Sequence, residues 1–225
     1  MFQSWLDLAF LHWPVAHDLL RPLVPSSLPL DTFDGQCWVG VVPFHMANLR
    51  ARGLPPLPGF SRTPEINVRT YVTMGGKPGV YFFSLDIGLL SAVFAARSFY
   101  RLPYYYAAFQ LQIAGEEVSR YECRRRVPAN AEFIGGYAPV DLVQHPPPGT
   151  LEHWLTERYC LYTATRSSAF RAEIHHPRWP LQDGEARIER NTMAAASGIL
   201  LPENAPLVHY SKRQDVLVWP LRRVR

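Results

Sequence analysis

The sequence predicts an α+β fold that is mostly β, an antiparallel or mixed β-barrel with a few short helices. The 225 residues contain many short runs rich in β-branched and aromatic side chains, a composition typical of strands. These runs are separated by 21 prolines and 14 glycines. Only two or three segments have a helical pattern, and they do not alternate with strands, so a doubly wound parallel sheet is not expected. A chain of this length fits a single domain, residues 1–225.

The elements follow in chain order from hydrophobic alternation and from Pro and Gly punctuation. A short helix is predicted in HWPVAHDLLRPLVP, and a strand with a turn in LPLDTFDG. Two further helices are LLSAVFAARSFY and TLEHWLTER, of which Thr150 can cap the second. RGLPPLPGFSRTP and HPPPG are predicted loops, and the stretch from PRWPLQ to GILLPENAP has no defined element. The predicted strands are QCWVGVVPF, EINVRTYVTM, VYFFSLDI, YYYAAFQLQIAG, EEVSRYECRRRV, YCLYTAT, AFRAEIHH, LVHYS and DVLVWP.

Charge and cysteine content narrow the class of protein. The net charge is +4, but the bias is 21 Arg against 2 Lys, and basic clusters occur only at 124–126 and in the C-terminal RRVR. Nucleic-acid binding is therefore not expected. The apolar N-terminal run contains Asp7 and stops at Pro14, too short to span a bilayer, so no membrane association is expected. Three widely spaced cysteines without a CxxC motif predict reduced thiols in a cytoplasmic protein.

Strand alternation identifies the candidate site. In EINVRTYVTM one face carries Ile66, Val68, Thr70, Val72 and Met74, and the opposite face carries Glu65, Asn67, Arg69, Tyr71 and Thr73. Two interpretations remain open for the polar face. It is either a solvated outer surface or a row of side chains facing the lumen of a ligand-holding barrel.

Two other strands show the same alternation. AFRAEIHH places Arg171, Glu173 and His175 on one face. In YYYAAFQLQI the pleat separates Tyr105, on the apolar side, from Tyr104 and Tyr106 on the polar side.

Segments throughout the chain resemble one protein family. They are LAFLHWPV, LDTFDGQCWVGVVPF, RGLPPLPG, PEINVRTYV, GVYFFSLD, LPYYYA, LTERYCLY, IHHPRWPLQ and VLVWP. On these segments the chain is identified as a member of the bacterial DUF2071 proteins, a family of unknown function that looks like part of the acetoacetate decarboxylase-like superfamily. The resemblance implies a largely antiparallel, cone-shaped β-barrel with a central cavity.

The resemblance also bears on chemistry. Acetoacetate decarboxylases carry a motif like R-x-x-W/Y-G-Y/F-P-K-K, in which the first lysine forms a Schiff base. In RSFYRLPYY the positions of the two lysines are occupied by Tyr104 and Tyr105. A phenol cannot form an imine, so Schiff-base decarboxylation is not expected. The acidic residue that the superfamily keeps near its reacting centre would correspond to Glu65 or a neighbour.

Other reaction types lack their motifs. The eight histidines include no HExxH and no close Cys/His set, and the chain has no GxSxG and no phosphate-binding loop. Neither a metal nor a cofactor is expected. Arginine binds carboxylates bidentately, which favours Arg69, Arg97 and Arg158 as anion anchors, although Arg158 could instead cap the helix before it. Tyr104 could act as an acid or base or donate one structural hydrogen bond.

Together these features predict a protein that binds a small organic acid or related metabolite in a barrel cavity. A lysine-independent lyase or isomerase step is compatible with this site, with Tyr104 and Glu65 as the catalytic candidates. The alternative is a non-catalytic regulatory or scaffold protein with an inert barrel, and homo-oligomerisation stays open. The predicted ligand-binding residues are Glu65, Asn67, Arg69, Arg97, Tyr104, Arg158 and His175.

Overall fold

A computed structural model describes residues 1–51, 53–55, 62–165 and 168–224. The strands in these ranges are β1 (Phe2–Val15), β2 (Cys37–Arg50), β3 (Thr63–Met74), β4 (Lys77–Ile87), β5 (Tyr104–Ala114), β6 (Glu117–Arg125), β7 (Glu132–Pro139), β8 (Cys160–Ala164), β9 (Ala169–His175), β10 (Gln182–Asn191), β11 (Leu207–Val218) and β12 (Arg222–Val224). The α-helices are α1 (His17–Leu20), α2 (Leu90–Tyr100) and α3 (Leu151–Thr156).

The strands form one sheet that closes on itself twice. Their order is β12-β9-β8-β4-β3-β2-β1-β11-β10-β7-β6-β5, with further pairings of β9 with β11 and of β4 with β5. The first pairing closes a ring of seven strands (β11, β1, β2, β3, β4, β8 and β9), called here the first ring. The second closes a ring through β5, β6, β7 and β10, the second ring. Most pairs are antiparallel, but β4 runs parallel to β5 and β8, which confirms the predicted mixed, mostly antiparallel β architecture.

Strand β3 belongs to the wall that the two rings share, and this position buries both of its faces. Ile66 and Val68 pack in one apolar cluster with Tyr121 and Phe133 of the second ring. The opposite face points into the first ring. Its interior, called here the inner chamber, contains the apolar side chains Phe10, Val42, Phe44, Tyr71, Leu85, Ile87, Leu155, Trp179 and Val216.

The largest difference from the sequence prediction is at the N-terminus, where the apolar run is strand β1. Its alternation breaks at Asp7, which has φ +45°, a conformation that non-glycine residues adopt only when neighbours hold it. The Asp7 carboxylate accepts hydrogen bonds from the Tyr210 hydroxyl and from Lys212 Nζ, each at 2.7 Å. These two hydrogen bonds hold Asp7 in a β-bulge between Leu6 and Leu11. The alternation of buried and exposed residues therefore does not continue through this position.

Other elements differ in smaller ways. Strands β7 and β10 were not predicted, and LVHYS and DVLVWP form the single strand β11. LPLDTFDG contributes only isolated bridges, Leu30 to Val72 and Phe33 to Gln36. The predicted cap of α3 is confirmed, because Thr150 accepts a hydrogen bond from the His153 backbone N–H. Most of the predicted loop RGLPPLPGFSRTP lies outside the described residues, as does the last residue of RRVR.

Two further observations concern membranes and thiols. Within the described part of the chain, no helix is long and apolar enough to cross a lipid bilayer. The three cysteines are free and buried.

Candidate functional site

A row of polar side chains from β3 lies in the inner chamber. Glu65, Asn67 and Arg69 are only 3%, 5% and 8% exposed. Their cross-strand neighbours on the same face include Phe44 and Val42 of β2, which pair with Glu65 and Asn67. The predicted alternation is therefore present, and the row faces the interior rather than solvent.

Glu65 is a buried carboxyl group without a cation. Its Oε2 accepts a hydrogen bond from the Tyr104 hydroxyl at 3.1 Å, and its backbone carbonyl accepts one from the Tyr121 hydroxyl at 2.7 Å. No Lys, Arg or His nitrogen of the described residues lies within 4 Å of the carboxylate. Burial raises the pKa of Glu65 to about 8, and the negative charge of Asp86 adds to this effect. Glu65 is therefore protonated and neutral at pH 7.

Tyr104 comes to the chamber from the first position of β5. It pairs in parallel register with Leu85 of β4, and Arg97 Nε donates to its backbone carbonyl at 2.7 Å. Burial, together with the nearby Glu65, raises the pKa of Tyr104 well above its ordinary value. The hydroxyl therefore keeps its proton and acts as a donor.

The two following tyrosines do not reach Glu65. The pleat turns Tyr105 to the opposite face, as predicted, whereas Tyr106 was predicted to share the face of Tyr104 and lies two residues further along β5. The Tyr105 ring lies under the Arg125 guanidinium, 3.9 Å from its carbon. Tyr106 is 39% exposed. Of the three consecutive tyrosines, only Tyr104 reaches Glu65.

A fully buried ion pair lies beside this end of the row. Arg125 Nε and Nη2 donate to the two carboxylate oxygens of Asp86 at 2.7 and 2.8 Å. This ion pair was not predicted from the sequence. Its signal was an aspartate in an otherwise apolar strand, since Asp and Arg are almost never fully buried unless paired.

Arg69 occupies the other end of the row. Its guanidinium carbon lies 5.1 Å from the centre of the Phe10 ring. Nη2 makes only long hydrogen bonds, 3.4 Å to the Tyr71 hydroxyl and 3.5 Å to the Leu155 carbonyl. Nε is buried without a partner, and no carboxylate of the described residues lies within 4 Å of the guanidinium.

His12 of β1 lies beside Arg69 and was not predicted. Its Nε2 is 2.6 Å from the Tyr71 hydroxyl, and its buried Nδ1 has no hydrogen-bond partner within the described ranges. Burial, with the charge of Arg69, lowers the pKa of His12 well below the ordinary value, so the ring is neutral. Gly40 makes this packing close, since a Cβ there would lie 3.1 Å from His12 Nε2 and 3.5 Å from Arg69 Cγ.

Arg158 is also buried, but its charge is balanced. Its Nη1 donates to Asp31 at 2.6 Å, and its Nε donates to the Trp154 carbonyl of α3 at 2.6 Å. The structure thus shows the alternative that the sequence left open, in which Arg158 closes the end of the helix and pairs with a neighbour. One nitrogen, Nη2, has no hydrogen-bond partner in the part of the chain that the structure describes.

Two predicted ligand-binding residues lie away from the β3 row. Arg97 is exposed on α2, and His175 is exposed at the end of β9. The face of β9 that carries His175 also carries Arg171 and Glu173, which are paired with each other at 2.8 Å. His175 differs from the prediction because alternation assigns only a face, and this polar face of β9 points away from the inner chamber. Arg97 differs because its side chain lies on the exposed surface of α2, where its Nε donates to the Tyr104 backbone carbonyl.

Neither lysine reaches the chamber. Lys77 pairs with Glu173, and Lys212 pairs with Asp7; both side chains are partly exposed. The residues described by the structure contain no group of three or more His, Cys, Asp or Glu that could hold a metal ion.

Neither of two clefts that open on the surface of the described residues contains the β3 row. One, of about 580 Å³, lies between β10 and the segment 199–206. The other, of about 620 Å³, is lined by residues of α2, β4, β5 and β8. The chemistry of the buried row, rather than the size of these clefts, identifies the candidate site.

Comparison with known proteins places the chain in a family. Residues 2–215 match the model of DUF2071, described as an uncharacterized conserved protein. The uncharacterized protein YqjF of Bacillus subtilis (strain 168) is 49% identical over 223 residues, which cover 99% of this chain and 92% of YqjF.

Solved structures show the same fold at low identity. Acetoacetate decarboxylase from Legionella pneumophila has a TM-score of 0.64 at 13% identity, covering all of this chain and 87% of that one. The enduracididine biosynthesis enzyme MppR in complex with pyruvate has a TM-score of 0.65 at 10% identity, covering 99% and 89%. An acetoacetate decarboxylase-like enzyme from Sphingomonas wittichii RW1 has a TM-score of 0.64 at 14% identity, covering 100% and 92%. The chain therefore belongs to the DUF2071 family and has an acetoacetate decarboxylase-like fold.

Proposed function

We propose that this protein binds a small organic acid in the inner chamber, with the carboxylate on Arg69 and the rest of the molecule beside Asn67, Glu65 and Tyr104. The observation that carries the proposal is the buried Arg69 guanidinium, which has no carboxylate partner among the described residues. An unpaired buried charge costs several kcal/mol. A planar guanidinium is also the group best shaped to bind a carboxylate through two hydrogen bonds.

The charges around Arg69 favour a monoanion. Asp86 is paired with Arg125, Asp31 is paired with Arg158, and Glu65 is neutral at pH 7. Glu157 is a further buried carboxylate without a cation, but it accepts hydrogen bonds from the Trp179 backbone N–H and the Tyr159 hydroxyl. Arg69 has no ion-pair partner among the described residues, so nothing there balances its charge. A single carboxylate neutralises it, whereas a second carboxylate near Glu65 would again be a buried charge without a partner.

The structural relatives support a ligand of this kind. MppR, which shares the fold, has been solved in complex with pyruvate, a small acid. Imine formation is not part of the proposal, because tyrosines occupy the two lysine positions of the decarboxylase motif and both lysines of this chain lie elsewhere.

Glu65 and Tyr104 favour a second, catalytic candidate function at the same site. Both groups hold protons at pH 7, and they lie 3.1 Å apart. A carboxyl group with a pKa of about 8 exchanges protons readily near neutral pH. In a lysine-independent isomerase or lyase, the fraction of Glu65 that is ionised near neutral pH would act as the base: it would take a proton from carbon of the bound acid and then return that proton to another carbon or release it to solvent. Exchange of ligand C–H protons with D₂O, lost in Glu65→Gln, would support catalysis, and binding without exchange would indicate a non-catalytic protein.

The test of binding is ligand-induced stabilisation. A ligand at 100 times its Kd stabilises the native state by about 2.7 kcal/mol, or roughly 5–10 °C in melting temperature for a chain of this size. We expect small monocarboxylates to produce such shifts in the wild-type protein and none in Arg69→Met. The ligand-free Arg69→Met protein should be at least as stable as wild type, because the variant removes a buried unpaired charge.

Arg187→Gln is the matched control. Arg187 lies exposed on β10, so its removal changes the net charge equally and should leave every ligand response intact. Absence of any shift across monocarboxylates, or equal shifts in Arg69→Met, would overturn the proposal and favour an inert barrel.

A further inference from the structure

Extending the proposed binding function, on which this step depends, we propose that the ligand is a short hydroxycarboxylate rather than an oxo acid. Its carboxylate binds Arg69 and His12, and its hydroxyl binds the side-chain amide of Asn67. The basis is the set of buried polar atoms on this wall that have no partner within the described residues.

The side-chain amide of Asn67 is the reason for proposing a hydroxyl group on the ligand. Its side chain makes no hydrogen bond with any described residue, and its Oδ1 is fully buried. The cross-strand neighbours on the same face, Val42 and Leu85, are apolar. Whichever way the amide is turned, it has both an acceptor and a donor to satisfy. A hydroxyl group can donate and accept, whereas a ketone oxygen can only accept and would leave the amide oxygen unpaired.

Arg69 and His12 determine the position of the carboxylate. The Tyr71 hydroxyl lies 2.6 Å from His12 Nε2 and 3.4 Å from Arg69 Nη2, which can only donate. Among the described residues His12 Nε2 is therefore the acceptor available to the Tyr71 proton, and we assign the hydrogen bond in that direction. The neutral imidazole then carries its proton on Nδ1. Arg69 Nε and His12 Nδ1 are thus two buried N–H donors without acceptors. A carboxylate offers two oxygens to receive them.

The spacing limits the length of the ligand. Asn67 and Arg69 are two residues apart on one face of a strand, which places their Cα atoms about 6.6 Å apart. Because both side chains reach toward the ligand, the hydroxyl fits on carbon 3 or 4 of the acid. The cross-strand neighbours Val42 and Leu85 are apolar, so a second hydroxyl beside Asn67 would find no partner on those two residues.

The test compares pairs of acids that differ only in the oxygen function. The pairs are 3-hydroxybutyrate with acetoacetate and 4-hydroxypentanoate with 4-oxopentanoate, each measured by isothermal titration calorimetry at pH 7. Butyrate serves as the reference without an oxygen function. We expect the better hydroxy acid to bind at least about tenfold more tightly than its oxo partner and than butyrate, with one enantiomer preferred, since a site built to bond a hydroxyl rejects analogues that lack it.

Variants separate this inference from the proposed function. Asn67→Leu should bring the hydroxy acid, oxo acid and butyrate to similar affinities, and Arg69→Met should abolish binding of all of them. Equal or tighter binding of the oxo acids, still dependent on Arg69, would overturn the hydroxy-acid inference and leave the proposed function standing. No binding of any acid by the wild-type protein would overturn both. The wild-type comparison needs no variant, so an unfolded Asn67→Leu protein would not prevent the decision.

Discussion

Two buried arginines, Arg69 in the wall that the two rings share and Arg125 on β6 of the second ring, have opposite surroundings. Arg125 makes two short hydrogen bonds to Asp86, and both side chains are almost completely excluded from solvent. Arg69, buried nearly as deeply, has two long hydrogen bonds to neutral oxygens and one nitrogen without a partner. The first arrangement balances its charge within the protein, as expected of a structural pair. The second leaves a charge without an ion-pair partner among the described residues, which is the arrangement that the proposed carboxylate site requires.

The comparison predicts its largest effect at Arg125. Arg125→Met leaves the Asp86 carboxylate buried without a partner, and we expect a loss of about 3–5 kcal/mol in the free energy of unfolding, measured by urea denaturation. Arg69→Met should cost nothing in the same assay. Restoring stability with Asp86→Leu in the Arg125→Met background would confirm that the unpaired carboxylate is the cause. Equal losses for Arg125→Met and Arg69→Met would mean that both arginines are structural.

Glu65 gives the next effect, a dependence of stability on pH. Its pKa is raised from 4.5 to about 8 in the folded protein, so between these values the folded state holds a proton that the unfolded state has released. The stabilisation is therefore complete below about pH 4.5 and is lost as the pH rises through 8. We expect the free energy of unfolding of wild type, relative to Glu65→Gln, to fall by roughly 1.4 kcal/mol per pH unit in this window.

Parallel denaturation curves of the two proteins at pH 5, 6, 7 and 8 measure this difference. The same ionisation adds a negative charge to the inner chamber, so the affinity for a carboxylate should also fall above pH 8 in wild type but not in Glu65→Gln. A constant difference in stability across the range would show that Glu65 is ionised throughout, and the chamber would then have no unbalanced charge.

The contrast between the arginines also shows what a sequence can predict. Alternation in β3 is sufficient to place Glu65, Asn67 and Arg69 on one face, since a strand has a strict period of two. The sequence could not show that both faces of β3 are buried. The apolar face packs against the second ring, whose strands β7 and β10 were not predicted. The polar face is enclosed because β9 pairs with β11 and closes the first ring. Strand β10 has the sequence QDGEARIERN. So many charged residues are typical of an exposed strand and equally of a loop, so the sequence alone does not identify the strand.

Partners far apart in the chain escaped prediction for a different reason. Arg158 and Asp31 are 127 residues apart, and Arg125 and Asp86 are 39 apart. No local sequence pattern shows whether a buried arginine will be paired with a carboxylate from a distant segment of the chain. His12 was missed because the bulge at Asp7 interrupts the alternation of β1. Balanced and unbalanced arginines can be told apart only after the strands have been assembled.

The smallest predicted effect concerns Tyr104, the donor to Glu65. The hydrogen bond lowers the pKa of Glu65 and so opposes the effect of burial. Tyr104→Phe removes this donor and keeps the ring, so we expect the fold to persist with a loss of about 1 kcal/mol in stability. The pKa of Glu65 should move further above 8, which can be followed in ¹³C-glutamate-labelled protein by NMR, with Glu65→Gln to assign the signal. Tyr106→Phe, at an exposed position two residues further along β5, should leave the titration unchanged. A Glu65 pKa that stays the same or falls in Tyr104→Phe would show that the two side chains are not coupled. The acid–base role proposed for the pair would then be wrong. The charge around Arg69 would be unaffected by that result.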